Sequence, residues 1–430
     1  MSTDVPAAPV PATKAPVDFT VRRFHVDLAT RSVRFEEVTC ADLEDVLGGA
    51  ARGFKLLAAH AVRDAYDPAA PLVMNIGLLT GSQLMTGLRT FFHAYSPLKV
   101  GASGLPGAMW TAGSGNFGTK LRHLGVEEVV FTGRAETPVT LRLHADEAAP
   151  GGVGFAFEDA ADLAGRTING KVQELKGRYP AAHFAAIGPA GEAWETVRYA
   201  AIGLSTDNQL KSGDAKARFC GRGGIGGVMG SKHLLAIVAD VADPRPSAQP
   251  PALKPINLEV ARGKGSARFR DKSKGGGGGT WANYEALNPV HAMPEMNFVP
   301  TGTEASFGLW RDEVEKGAFV VKDEACYRCG IRCHKNVYER DADGKPGAYR
   351  AKLDFEPLNL LSSNIGIFDV DQACTLVELV DELGMDSISC GVSLSYAMEY
   401  NRRHPDAPIA GGVAYGDFEG ARRVIEEIGR

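Results

Sequence analysis

Three cysteines fall within eight residues, at Cys326, Cys329 and Cys333 of the stretch ACYRCGIRCH (325–334), and no fourth follows nearby. Spacers of two and three residues let successive sulfurs turn toward a common centre, so this loop is expected to wrap one face of an iron–sulfur cubane. The alternative occupant is a structural zinc with His334 as fourth ligand. Zinc knuckles, however, pair a CxxC with a second distant pair, and His334 directly follows Cys333, a poor position from which to turn inward. The order of the spacers is also the reverse of the radical-SAM arrangement. Arg328, Arg332 and Lys335 would offset the negative charge of a cluster. Cys40, Cys220, Cys374 and Cys390 stand singly and read as small buried apolar residues.

Seven cysteines in all make an odd number, and the chain shows neither a signal-peptide core nor the roughly 20 apolar residues of a membrane helix. A disulfide framework is therefore not expected, and a cytoplasmic address is. The net charge is −5 over 430 residues. Lysines and arginines are spread along the chain apart from ARGKGSARFRDKSK (261–274), which reads as a solvated loop, so no nucleic-acid partner is expected.

Residues 1–17, rich in Pro and Ala, read as disordered. Alternating polar and apolar residues in FTVRRFHVDL and RSVRFEEV, separated by ATR, predict a β-hairpin. Further strands are predicted at PLVMNIGLL, TFFHAY, EEVVFTG, PVTLRLH, HFAAIG and LLAIVADV, without regular βαβ alternation. Residues 42–62 carry a helical pattern that Gly48 and Gly49 should break. The fold class is accordingly α+β: a strand-rich domain over 18–242, a Pro-rich linker at 243–255, and a mostly helical domain over 256–430. Glycines 275–279 within the second domain read as a flexible loop. Ala373, Leu376, Val377, Val380 and Leu383 recur at helical spacing, Gly384 suits the residue after a helix, and Asp386 or Ser387 suits the N-cap of the next. The unpaired N–H groups opening that second helix would suit an anionic ligand.

The second dense motif is FCGRGGIGGVMGSK (219–232). Gly223, Gly224, Gly226 and Gly227 permit close backbone approach, and Arg222 and Lys232 bring charge, a combination suited to phosphate; the spacing is not that of a P-loop. SGNFGTKLR (114–122) and GLPGAMW (104–110) are similar and weaker.

Taken in order, VRRFHVDLATRSVRFEEV, GLLTGSQLMTGLR, GNFGTKLRHLGVEEVVFTGRAETPV, IGPAGE, CGRGGIGGVMGSK, CYRCGIRC and DELGMDSIS resemble the aldehyde:ferredoxin oxidoreductase family of tungsten-pterin enzymes, from about Phe19 to the last residue. The resemblance implies that the strand-rich domain cradles a tungsten-bis-pterin and that a [4Fe–4S] cluster lies beside it. By resemblance Cys326, Cys329 and Cys333 are cluster ligands, Asp381 is the pterin-binding aspartate and Asp386 closes its motif. Arg89 would bridge pterin and cluster, and Arg222 with Gly223, Gly224 and Gly226 would form the phosphate-side loop. A magnesium ion between the pterin phosphates would be held by backbone carbonyls. LDFEPLNLLSSNIGI (353–367) places Glu356 at a carboxylate position near the metal, with Asp354 second in line. The family's fourth cluster cysteine and catalytic histidine belong to a third domain, which the resemblance leaves beyond Arg430 or on a partner chain; Cys390 reads as a core residue. The implied activity is oxidation of an aldehyde to a carboxylic acid, using tungsten or molybdenum, with electrons passing to ferredoxin or an iron–sulfur partner subunit. Reduction of an aromatic acyl-CoA, and a cluster-carrying electron-transfer subunit without catalytic metal, are the alternatives.

Overall fold

The structure, a computed structural model, describes residues 19–243, 250–263, 272, 278–299 and 303–429. The expected disorder at 1–17 lies outside these residues, as do glycines 275–277, most of the basic run and residues 244–249 of the expected linker. That linker gives way to a helix, Leu253–Arg262.

β1 (Thr20–Asp27) and β2 (Ser32–Thr39) form the expected antiparallel hairpin, Thr20 opposite Thr39. Asp27 shapes its turn by accepting from the N–H groups of Ala29 and Thr30. The hairpin edges a six-stranded sheet in the order β2-β1-β6-β3-β4-β5, with β3 at Leu72–Ile76, β4 at Thr90–Val100, β5 at Pro106–Gly113 and β6 at Glu128–Thr132. A second six-stranded sheet runs β11-β10-β9-β12-β7-β8. Its strands are β7 (Val139–Ala145), β8 (Val153–Asp159), β9 (His183–Ile187), β10 (Ile202–Leu204), β11 (Arg218–Cys220) and β12 (Leu234–Asp240). One apolar core draws on both sheets, from Phe24, Phe92 and Phe131 in the first to Phe184, Ile202 and Ile237 in the second. Among the described residues only β1/β6 and β7/β12 pair in parallel, without the regular alternation of a βαβ fold.

Gly48, at φ 67, separates the short helices Leu43–Leu47 and Gly49–Ala58, which is the break its sequence predicts.

A second core is built around the helices Val370–Leu383 and Ser387–Arg403 and takes in Ala190, Val197 and Ala200 of the strand-rich half. Ala373, Leu376, Val377, Val380 and Leu383 are the buried stripe. Gly384 takes φ 76 after the first helix, and Asp386 caps the second by accepting from Ile388 N–H at 3.1 Å. The helical half also contains a three-stranded antiparallel sheet that the helical reading did not foresee: β13 (Phe319–Glu324), β14 (His334–Arg340) and β15 (Pro346–Lys352). It docks on the second large sheet beside β11, where Lys352 Nζ donates to Ala217 O at 3.2 Å and Tyr349 OH to Ala215 O at 3.1 Å. That docking brings the cysteine loop, which joins β13 to β14, against β11.

Candidate active site

The helix junction is tied to the first half of the chain by backbone bonds. Ala201 N–H donates to Gly384 O at 2.7 Å and Asp386 N–H to Tyr199 O at 2.9 Å. Glycines make this approach feasible: a Cβ on Gly224 would lie 2.1 Å from Arg198 O, and one on Gly226 would lie 2.4 Å from Ala201 O. The glycine-rich turn is thereby pressed against the residues that hold the junction. Its next residue upstream, Arg222, reaches across, with Nε 3.0 Å from Asp386 Oδ2.

This corrects part of the phosphate-loop expectation. Gly223, Gly224 and Gly226 pack against Met109, Arg198 and Ala201 rather than forming the cavity wall, and the Gly226 N–H is already given to Ala200 O at 3.0 Å. Phe219, Gly221 and Arg222 are the members of the motif that face open space.

That space is a cavity of about 700 Å³ walled by Arg89, Phe91, Trp110, Phe219, Asp354, Glu356, Asp386 and the first turn of the helix Ser387–Arg403. A smaller recess of about 130 Å³ is lined by Asp381, Lys352, Arg218 and Asp386. Burial pushes the Asp381 carboxyl up while the nearby Lys352 ammonium, 3.6 Å away, holds it down. Asp381 and Asp386 both line this recess.

The cysteine loop faces a third cavity of about 400 Å³, lined by Cys326, Cys329, Cys333, Thr86, Arg89, Ser114, Arg218, Asp354 and Glu356. Two left-handed residues shape the loop, Arg328 at φ 50 and Arg332 at φ 57, each immediately before a cysteine. Among the described residues, no group of three His, Cys, Asp or Glu is set closely enough to hold a single metal ion. The thiols are instead spread around the cavity wall. Burial raises the Cys326 thiol to about 11, against the pull of Arg218 and Arg89, and raises that of Cys329 as well.

Two expectations about this loop need correction. His334 does turn inward: its Nε2 lies 3.0 Å from Cys326 Sγ, because the reversal at Arg332 lets β14 start with its first side chain directed back at the loop. Lys335, by contrast, is committed elsewhere, to Asp323 Oδ1 at 2.5 Å and Arg332 O at 3.1 Å. Arg218 faces the thiols together with Arg89, and the motif reading passed it over although it stands four residues before Arg222. Cys390 is enclosed in the helical core, where burial pushes its thiol up to about 12. Cys220 and Cys374 are similarly enclosed.

Arg89 and Asp354 line all three cavities, and Glu356 lines the two larger ones. Arg89 is exposed and anchored by Nη1 to Ala112 O at 3.1 Å. Asp354 and Glu356 open the helix Phe355–Leu360, the first as its N-cap residue and the second in its first turn. Glu356 is exposed to the cavities rather than packed.

Comparison with known proteins matches this geometry to a family. The N-terminal domain of aldehyde ferredoxin oxidoreductase matches residues 23–241, and the family's domains 2 and 3 match residues 269–430. The second match corrects the expectation that the third domain is absent. A tungsten-containing aldehyde ferredoxin oxidoreductase of Pyrococcus abyssi is 30% identical over 352 residues, 79% of this chain and 51% of that protein. One from Pyrococcus furiosus is 29% identical over 425 residues, 95% of this chain and 64% of that protein. An aliphatic sulfonate oxidoreductase, WOR-like subunit, of P. furiosus is 27% identical over 409 residues, 88% of this chain and 58% of that protein. The chain thus spans between half and two-thirds of the length of these relatives. In fold it is similar to the active-site complex BamBC of benzoyl coenzyme A reductase, solved with 1,5-dienoyl-CoA. The TM-score is 0.72 at 20% identity, covering 95% of this chain and 60% of that one. No helix among the described residues is long and apolar enough to cross a membrane. With both family matches falling on the two halves that build these cavities, the chain belongs to the aldehyde ferredoxin oxidoreductase family.

Proposed function

We propose that this chain is an oxidoreductase that oxidises an aldehyde to a carboxylic acid, with a tungstopterin in the larger cavity and a [4Fe–4S] cluster at the cysteine loop. The observation that carries the reading is the shared wall: Arg89 and Asp354 border the thiol cavity, the aspartate recess and the larger cavity alike. Two redox groups so seated would exchange electrons across a few side chains.

The residues present suit both groups. Three thiols around one cavity, faced by a largely enclosed guanidinium, form a soft anionic donor set with its charge compensated. Around the larger space, Arg222 and the N-terminus of the helix Ser387–Arg403 suit phosphate, Asp381 and Asp386 suit pterin N–H groups, and Phe91, Trp110 and Phe219 suit a flat ring. Cys326, Cys329 and Cys333 would hold the cluster; Asp381, Asp386, Arg222 and Arg89 would hold the pterin. A magnesium ion between the pterin phosphates belongs to the same proposal.

When bound, the tungstopterin supplies a two-electron acceptor and the cluster a one-electron relay. Oxidation of an aldehyde hydrate to the acid releases two electrons and two protons. Glu356, exposed on the wall common to the larger cavity and the thiol cavity, accepts one proton through its carboxylate, and Asp354 beside it is the second acceptor. Asp386 keeps Arg222 aimed at the helix N-terminus, so that the phosphate end of the ligand is fixed independently of the reacting end. Electrons leave to ferredoxin or an iron–sulfur partner subunit.

The test is aldehyde-dependent reduction of a viologen dye by the tungsten-loaded protein. Glu356→Gln should lower turnover by about 100-fold or more with tungsten content intact. An unaltered rate in that variant would remove Glu356 from the chemistry, and a wild-type protein inert toward every aldehyde would remove the activity.

A further inference from the structure

The cations around the cysteine loop differ in how their charge is engaged. Lys335 is bound to Asp323 and to the Arg332 carbonyl. Arg328 lies over the Tyr327 ring, 5.1 Å from its centroid. Lys352 sits between Ala217 O and Asp381. Arg218 is different. Its Nη1 is shielded from solvent and has no hydrogen-bond partner, and Asp354 Oδ2 at 3.8 Å is too distant to supply one.

The side chain is only 18% exposed, and it lines both the thiol cavity and the aspartate recess. Against the cost of burial, its charge is favoured first by Asp354 and then by Cys326, Cys333 and Asp381. Its place is set by the backbone: Arg218 opens β11, the preceding Ala217 carbonyl is held by Lys352, and Lys352 also lies over the ring of the following residue, Phe219. A guanidinium desolvated with an unused donor is costly unless an anion meets it.

We propose that Arg218 is a positioning residue for the group held by Cys326, Cys329 and Cys333, its fixed positive charge and free N–H facing the sulfur atoms from the pterin side and favouring the reduced state. This rests on the cluster reading given above. One electron taken up there adds one negative charge and no proton, and an arginine remains charged throughout the working pH range to meet it. Arg89, exposed and bonded to Ala112 O, provides the comparison.

The experiment uses the full chain and its Arg218→Gln, Arg218→Lys and Arg89→Gln variants, each reconstituted without oxygen using ferrous iron and sulfide. Iron content is measured, and the midpoint potential is followed by electron paramagnetic resonance in dithionite titrations. Arg218→Gln should shift the potential to more negative values, further than Arg89→Gln, while Arg218→Lys stays near wild type. Loss of iron from Arg218→Gln with retention in Arg218→Lys expresses the same charge requirement more severely and also supports the proposal. A fully loaded Arg218→Gln at the wild-type potential overturns it. So do equal shifts, or equal losses of iron, in the glutamine and lysine variants. A wild-type chain that binds no iron overturns instead the cluster reading beneath it.

Discussion

Arg222 Nε lies 3.0 Å from Asp386 Oδ2, an ion pair that fastens the glycine-rich turn to the N-terminus of the helix Ser387–Arg403. The same carboxylate caps that helix through Ile388 N–H and accepts from Ser389 Oγ at 2.6 Å. Asp386→Ala should therefore lower stability by about 1 kcal/mol through loss of the cap, since the half-exposed Arg222 adds little of its own. Asp386→Asn, which can still cap, should recover most of that loss. Urea denaturation compares the two, and equal destabilisation would show that the cap is not the stabilising element.

Gly226 offers a sharper test of packing at the same junction. A Cβ there would meet Ala201 O at 2.4 Å, and neither backbone segment can yield without disturbing the bond from Ala201 N–H to Gly384 O. Gly226→Ala should cost about 1–3 kcal/mol by overpacking, and more if the junction opens. Gly177→Ala, in the helix Ile168–Arg178 with nothing within 4 Å and no positive φ, is the control in which a Cβ meets no obstacle. Equal urea midpoints for the two variants would contradict the close-approach argument.

Much of this junction is legible in the sequence because it is local. The stripe Ala373 to Leu383, the glycine at 384 and the cap at 386 are fixed by spacing along one helix and its end. The strands β10 and β11, three residues each, leave no periodic signal, and β13 to β15 acquire their register only from one another. Nothing in the sequence points to Arg218 for the same reason: what it faces lies more than a hundred residues away along the chain, and only the docking of β15 on β11 brings them together. The inward turn of His334 is not legible because sequence spacing does not reveal a left-handed residue at Arg332.

Stability should carry a signature of Glu378. Burial, then the neighbouring Glu382 and Asp381, raise this carboxyl to about 7 against the pull of Arg350. The folded state thus holds the proton more tightly than the unfolded chain, so the stabilising contribution is complete below the unfolded value of 4.5 and is lost as pH rises through about 7. Glu378→Gln should raise the urea midpoint at pH 8, by at most about 3 kcal/mol in free energy, and change it little near pH 4. A variant whose pH profile parallels wild type across this interval would rule out Glu378 as the titrating group.

Cysteine substitutions should separate the loop from the core. Cys326→Ser, Cys329→Ser and Cys333→Ser should each lower iron retained after anaerobic purification, since these thiols share one cavity. Cys390→Ser should leave iron unchanged and reduce stability, because a hydroxyl replaces a thiol among Leu394, Met398 and Ile365 of the helical core. Iron lost from Cys390→Ser and kept by the loop variants would reverse the assignment.

Metal content of the full chain purified without oxygen from its native host, scored for tungsten, molybdenum, iron and zinc in one determination, tests the central claim most directly. Tungsten accompanied by about four irons per chain is the expected result. Zinc without iron or tungsten would contradict the account and leave the three thiols as a structural knuckle.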